Sequence, residues 1–132
     1  MKRFQVGLLL AAGVSSAMLM SSAAQAGVRT NFPVSVDTIN MVAAGTFGST
    51  RNTGDLVQDL SCRVTVDTSG AWALCAATNA QGTTGTCVTV DPNMLAAINS
   101  LGSDSYVQFS WNSIGFCTEV VVINGSETEP KR

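Results

Sequence analysis

The sequence predicts a mainly β domain: an antiparallel sheet or small sandwich of five to six short strands with one short helix. Three observations predict it. Apolar and polar residues alternate in short runs, polar turn clusters separate those runs, and a single stretch carries helix start and stop signals. No repeat at a period of about 20–50 residues is visible, which argues against a solenoid.

Taken in order, Pro33 suits the entry of an edge strand, since it cannot donate to a central ladder. Val34-Ser35-Val36-Asp37 alternates as a half-buried strand does, and Ile39–Ala44 reads as its continuation. Gly45–Asp55 is rich in Gly, Ser, Thr and Asn and reads as a bend or irregular strand. Leu56–Val66 then places Leu60, Cys62, Val64 and Val66 on one face. Asp67-Thr68-Ser69-Gly70 is a turn, and Ala71–Thr78 the return strand, with Ala71, Ala73, Cys75 and Ala77 on one face and Trp72 and Leu74 on the other. After a second polar turn at Asn79–Gly85 comes a strand over Thr86–Val90. Asp91 as N-cap, Pro92 at the first helical position, an apolar stripe of Met94, Leu95, Ile98 and Leu101, and Gly102 past the end define the helix. So short a helix must pack on the sheet to persist. Ser105–Trp111 and Phe116–Asn124 form a final hairpin across Asn112–Gly115.

Residues 1–26 stand apart from this pattern. Lys2 and Arg3 open the chain, an apolar stretch centred on Val6–Val14 follows, and Ala24-Gln25-Ala26 ends it, which is the order of a secretory signal peptide cut after Ala26. Gly7, Gly13, Ser15 and Ser16 interrupt the apolar stretch, so it reads as a cleaved signal rather than a membrane span. A single domain over 27–132 remains, with loose tails expected at 27–33 and 125–132, and a periplasmic or secreted location follows. That domain has five basic residues against nine acidic, and the basic ones are scattered. Phosphate binding needs concentrated positive charge, so no nucleic-acid partner is expected, and no anionic membrane surface either.

Four cysteines in an exported chain of this size read as two disulfides, because the compartment oxidises thiols and a small core gains from covalent closure. The rival reading is a four-cysteine zinc site, but 12, 11 and 29 intervening residues provide no short knuckle. A two-residue loop at Thr68 and Ser69 puts Cys62 opposite Cys75 and leaves Cys87 for Cys117. A three-residue loop would instead allow Cys75 to join Cys87, with Cys62 left for Cys117. The first pairing is the one preferred.

Chemistry-bearing groups are scarce. The chain has no histidine, which removes the commonest general base and metal ligand. The aspartates each suit turns, caps or solvated faces. Asp55 and Asp59, beside Arg51 and Asn52, could form a small polar site, but the D-x-D-x-D-G pattern of a calcium loop is missing, so no metal and no cofactor is expected. Glu119 interrupts an apolar strand and reads as a residue of the solvent face. Trp72, Tyr106 and Trp111 are the aromatics with polar handles; exposed together on one sheet face they could stack on sugar rings or on a protein, while core packing is their plainer use.

Cys75-Ala76-Ala77-Thr78-Asn79, the Cys87 strand, Ser105-Tyr106-Val107-Gln108-Phe109, and Gly115-Phe116-Cys117-Thr118 with Val120–Asn124 together resemble a family of small exported bacterial two-disulfide β proteins of unassigned activity. The resemblance covers about half of the mature chain and implies a shared scaffold without a catalytic residue. The expected function is an exported non-enzymatic binding or structural module of the bacterial envelope or extracellular space, with a protein or glycan partner. A fimbria-like subunit that donates Val34–Val36 to a neighbour is one alternative, and a carbohydrate-binding or carboxylate-dependent hydrolytic protein another.

Overall fold

A computed structural model describes residues 30–128; the predicted signal peptide at 1–26 lies outside them, as do 27–29 and 129–132. Seven strands and two helices follow one another as β1 (Ser35–Asp37), β2 (Val42–Thr46), α1 (Phe47–Arg51), β3 (Asp59–Asp67), β4 (Gly70–Thr78), β5 (Thr84–Thr89), α2 (Pro92–Asn99), β6 (Tyr106–Trp111) and β7 (Cys117–Ile123). They make two antiparallel sheets, one of order β1-β2-β6-β7 and one of order β3-β4-β5.

The seventh strand arises because the run expected to continue through Ile39–Ala44 is broken. The Asp37 carboxylate accepts the backbone N–H groups of Ile39 and Asn40, and Met41 takes a left-handed φ of 54°, so the chain reverses and β2 pairs back on β1. The second helix, α1, replaces part of the expected bend. Thr46 is its N-cap: the hydroxyl accepts from Ser49 N and donates to Ser49 Oγ at 2.6 Å, fully out of solvent. Helix α2 begins at Asp91 and Pro92 as predicted, with Asp91 Oδ1 accepting from Asn93 N and Met94 N.

The two sheets face each other around a core of Val34, Ala43, Leu60, Ala73, Cys75, Ala77, Cys87, Ile98, Val107 and Phe109. Much of it is alanine and cysteine, which bury little apolar area per residue. Sheet contact is correspondingly close: a Cβ on Gly45 would lie 3.2 Å from Leu60 Cδ2 of the opposing sheet. On the opposite edge strand of the three-stranded sheet, in the same row as Leu60, Gly85 of β5 lies under the Trp111 ring.

Two disulfides staple this thin core. The Asp67–Gly70 hairpin has the two-residue loop, which places Cys62 opposite Cys75, and the two are bonded with Cα atoms 4.1 Å apart. Cys87–Cys117 joins β5 to β7, one sheet to the other, beside a single parallel bridge between Val88 and Phe116. Such bonds fit an oxidising compartment. Thr30 and Thr128, within the stretches expected to be tails, form a parallel bridge, and Thr128 is buried. Among the described residues no helix is long and apolar enough to cross a membrane.

Candidate functional site

The three polar aromatics do not share a face. In β4, Ala73, Cys75 and Ala77 point into the core, so Trp72 lies on the outer side of the three-stranded sheet, opposite Thr65. In β6, Val107 and Phe109 are fully buried, so Tyr106 lies on the outer side of the four-stranded sheet. There it meets Phe32 edge-on at 5.2 Å, its hydroxyl donates to Gln108 Oε1, and partial burial raises its phenol above the ordinary 10.0. Trp111 follows the register irregularity after Ser110 and is turned toward the opposing sheet at the end of the sandwich. The three therefore occupy separate positions and make no single aromatic surface, because strand alternation divides Tyr106 from Trp111 and the sandwich divides both from Trp72.

Trp111 forms a wall of a cleft. This opening, of about 300 Å³, lies between the 38–41 turn, the start of β5 and the 112–115 turn. Trp111 is held at its backbone and at its ring. Its backbone N–H donates to Met41 O at 3.0 Å, Phe109 lies 5.9 Å away at a tilted angle, and a Cβ on Gly85 would come within 2.5 Å of its ring. Only glycine permits that approach. An isolated glycine between Thr84 and Thr86 is the sequence signal for it, and Gly85 belongs to β5 rather than to the expected Asn79–Gly85 turn.

The polar lining of the cleft is neutral. Thr84 Oγ1 is within hydrogen-bond distance of Thr78 Oγ1, and Asn112 Oδ1 accepts from Ile114 N and Phe116 N, which fixes the amide plane. Among the described residues no protein partner meets the hydroxyls of Thr38, Thr86 and Ser113, the Asn112 Nδ2 group or the Trp111 indole N–H. Sequence reasoning named Trp111 and missed these hydroxyl residues, since only tertiary structure brings residues 38, 86 and 113 together.

A second opening of about 340 Å³ has charged walls, Arg51 and Asp59 among them, with Gln58, Thr50 and Ser103. This is what remains of the small polar site expected around Arg51, Asn52, Asp55 and Asp59. Arg51 is already committed, through Nη1 to Asp104 at 3.2 Å and through Nη2 to the Ser103 carbonyl. Asp55 is used in its own loop, accepting from Val57 N and Gln58 N, and Asn52 caps the end of α1.

Most other carboxylates are likewise structural. Asp37, Asp55 and Asp67 each accept a backbone N–H two residues ahead, and hydrogen bonding holds all three below the ordinary 3.8. Glu119 is exposed on β7, an edge strand, as its sequence context suggested. Among the described residues no cluster of three or more His, Cys, Asp or Glu could hold a metal ion. The chain matches no protein-family model, no curated protein and no solved structure.

Proposed function

We propose that this chain is an exported, non-enzymatic binding module of the bacterial envelope or extracellular space, and that the Trp111 cleft is its ligand-facing surface. One observation carries the reading: an indole packed against Gly85 and Phe109 stands beside the hydroxyls of Thr38, Thr86 and Ser113 and the Asn112 Nδ2 group, which the protein itself does not use. Support of a broader kind comes from the signal-peptide pattern, from two disulfides, and from the resemblance to small exported two-disulfide β proteins. Aspartates spent on turns and a cap agree with binding rather than catalysis. A subunit that donates Val34–Val36 to a neighbour is the poorer reading, because β1 pairs with β2 of its own chain and Val34 is 6% exposed in its own core.

The test is retention of the purified protein on envelope material and on culture-fluid polymers. Saturable retention is expected, lost in Trp111→Ala and kept in Trp72→Ala, with folding of both checked by circular dichroism. Equal retention of a folded Trp111→Ala protein would remove the cleft from the proposal, and turnover of the retained polymer would contradict its non-enzymatic part.

A further inference from the structure

We infer that the Trp111 cleft receives a neutral pyranose ring, the exposed residue of a glycan; the inference rests on the binding reading above and names its ligand class. Every side chain lining the cleft is uncharged, in contrast to the opening walled by Arg51 and Asp59. A phosphate, a carboxylate or an ammonium would enter without a counter-charge and lose its hydration for nothing.

An indole offers a flat apolar face with a polar edge, and a pyranose offers a C–H face rimmed by hydroxyls. The free groups around Trp111 match that rim in kind. Thr38, Thr86 and Ser113 can each donate and accept, while Asn112 Nδ2 and the indole N–H donate. A purely apolar ligand would strand these groups. An apolar peptide side chain would also want a deeper hydrophobic hole than an open cleft of about 300 Å³, which sits at the low end of ligand sites, about 300–1,000 Å³.

The cleft is also preorganised. The indole is packed against Gly85 and Phe109, the Trp111 backbone is tied to the Met41 carbonyl, and the Asn112 amide is held by two backbone N–H groups, so little side-chain freedom is lost on binding. Cys87–Cys117 holds the two sheets together close by. Repetition of the ring along a polymer would add avidity to the affinity of a single site.

Cellotriose, maltotriose and chitotriose are the probes, titrated against the ¹⁵N-labelled protein while the indole N–H resonances of Trp111 and Trp72 are followed. At least one trisaccharide is expected to shift Trp111 and leave Trp72 in place. Thr86→Val keeps the side-chain shape and removes one hydroxyl, and is expected to weaken binding by about threefold to tenfold. Trp111→Phe is expected to weaken it further while preserving the fold. The same trisaccharide should displace the protein from envelope material. If none of the three shifts Trp111, or if an alternating Thr-Val peptide shifts it instead, the pyranose assignment fails. Envelope retention that depends on Trp111 but resists all three sugars would overturn this inference and leave the binding reading intact; loss of both would overturn both.

Discussion

Gly85 shows how much a single missing methyl can decide. Its place in β5 is taken by the Trp111 ring, so any side chain there must push the indole away. Gly85→Ala is therefore expected to cost about 1–3 kcal/mol through overpacking and to change tryptophan emission, both readable in one urea titration followed by fluorescence. An unchanged midpoint and spectrum would mean that the ring is not seated where the structure puts it. Thr46 is a second residue whose role depends on its surroundings. Its hydroxyl, fully buried, serves Ser49 and the carbonyl of Phe32, joining the N-terminal approach of the chain to the start of α1. Neither role can be read from residue type. A glycine in a strand and a threonine in a Gly/Ser/Thr-rich stretch acquire their meaning only from what lies across from them.

Elements whose cues are local were legible, and elements held by distant contacts were not. Helix α2 carries its own N-cap, its proline and its apolar stripe, so the prediction and the structure coincide at Asp91 and Pro92. Helix α1 spans Phe-Gly-Ser-Thr-Arg, a poor helix former by propensity, and exists because Thr46 is anchored in a buried network. The turns follow one device throughout. Asp37, Asp55, Asp67, Asn79, Asp91 and Asn112 each accept a backbone N–H two residues ahead. Three of these carboxylates have pKa values depressed by the hydrogen bonds they accept, chiefly from Asn40 for Asp37, Gln58 for Asp55 and Ser69 for Asp67. A depressed folded pKa means that the ionised turn adds stability fully above the unfolded value, 3.8, and loses it as pH falls through the lower folded value. Stability should thus decline on acidification below about pH 4, and Asp37→Asn, Asp55→Asn and Asp67→Asn together should flatten that decline. Chemical unfolding at a series of acidic pH values checks it; an undiminished slope in the triple variant would assign the acid loss to other groups.

For the whole molecule, the disulfide network is where counting residues came closest to tertiary structure. The two-residue loop between Asp67 and Gly70 was one of two possibilities, and its presence makes Cys62 and Cys75 partners while leaving Cys87 to reach across to Cys117. Sheet membership was less accessible, since the local pattern does not say that β6 inserts between β2 and β7. For the same reason the cleft, assembled from three separate turns and strands, could not be foreseen beyond Trp111. The two bridges close loops of unequal length, with separations of 13 and 30 residues. Chain entropy assigns them about 3 and about 3.7 kcal/mol, and the second also holds sheet to sheet. Replacing Cys87 and Cys117 by Ala should accordingly lower the melting temperature more than replacing Cys62 and Cys75, as differential scanning calorimetry would report; the reverse order would show that the inter-sheet contact stands without its staple. Cys62, Cys75 and Cys87 also form one in-register row across β3, β4 and β5, so Cys75 faces a cysteine on either flank. In the reduced chain two hairpins of nearly equal span compete for that thiol, and only the arrival of Cys117 with the other sheet removes Cys87 from the contest. A Cys75–Cys87 isomer is therefore expected early in oxidative refolding, resolving by thiol exchange in about seconds to hours; disulfide mapping of quenched refolding samples checks it, and its absence would show that Cys62 captures Cys75 first.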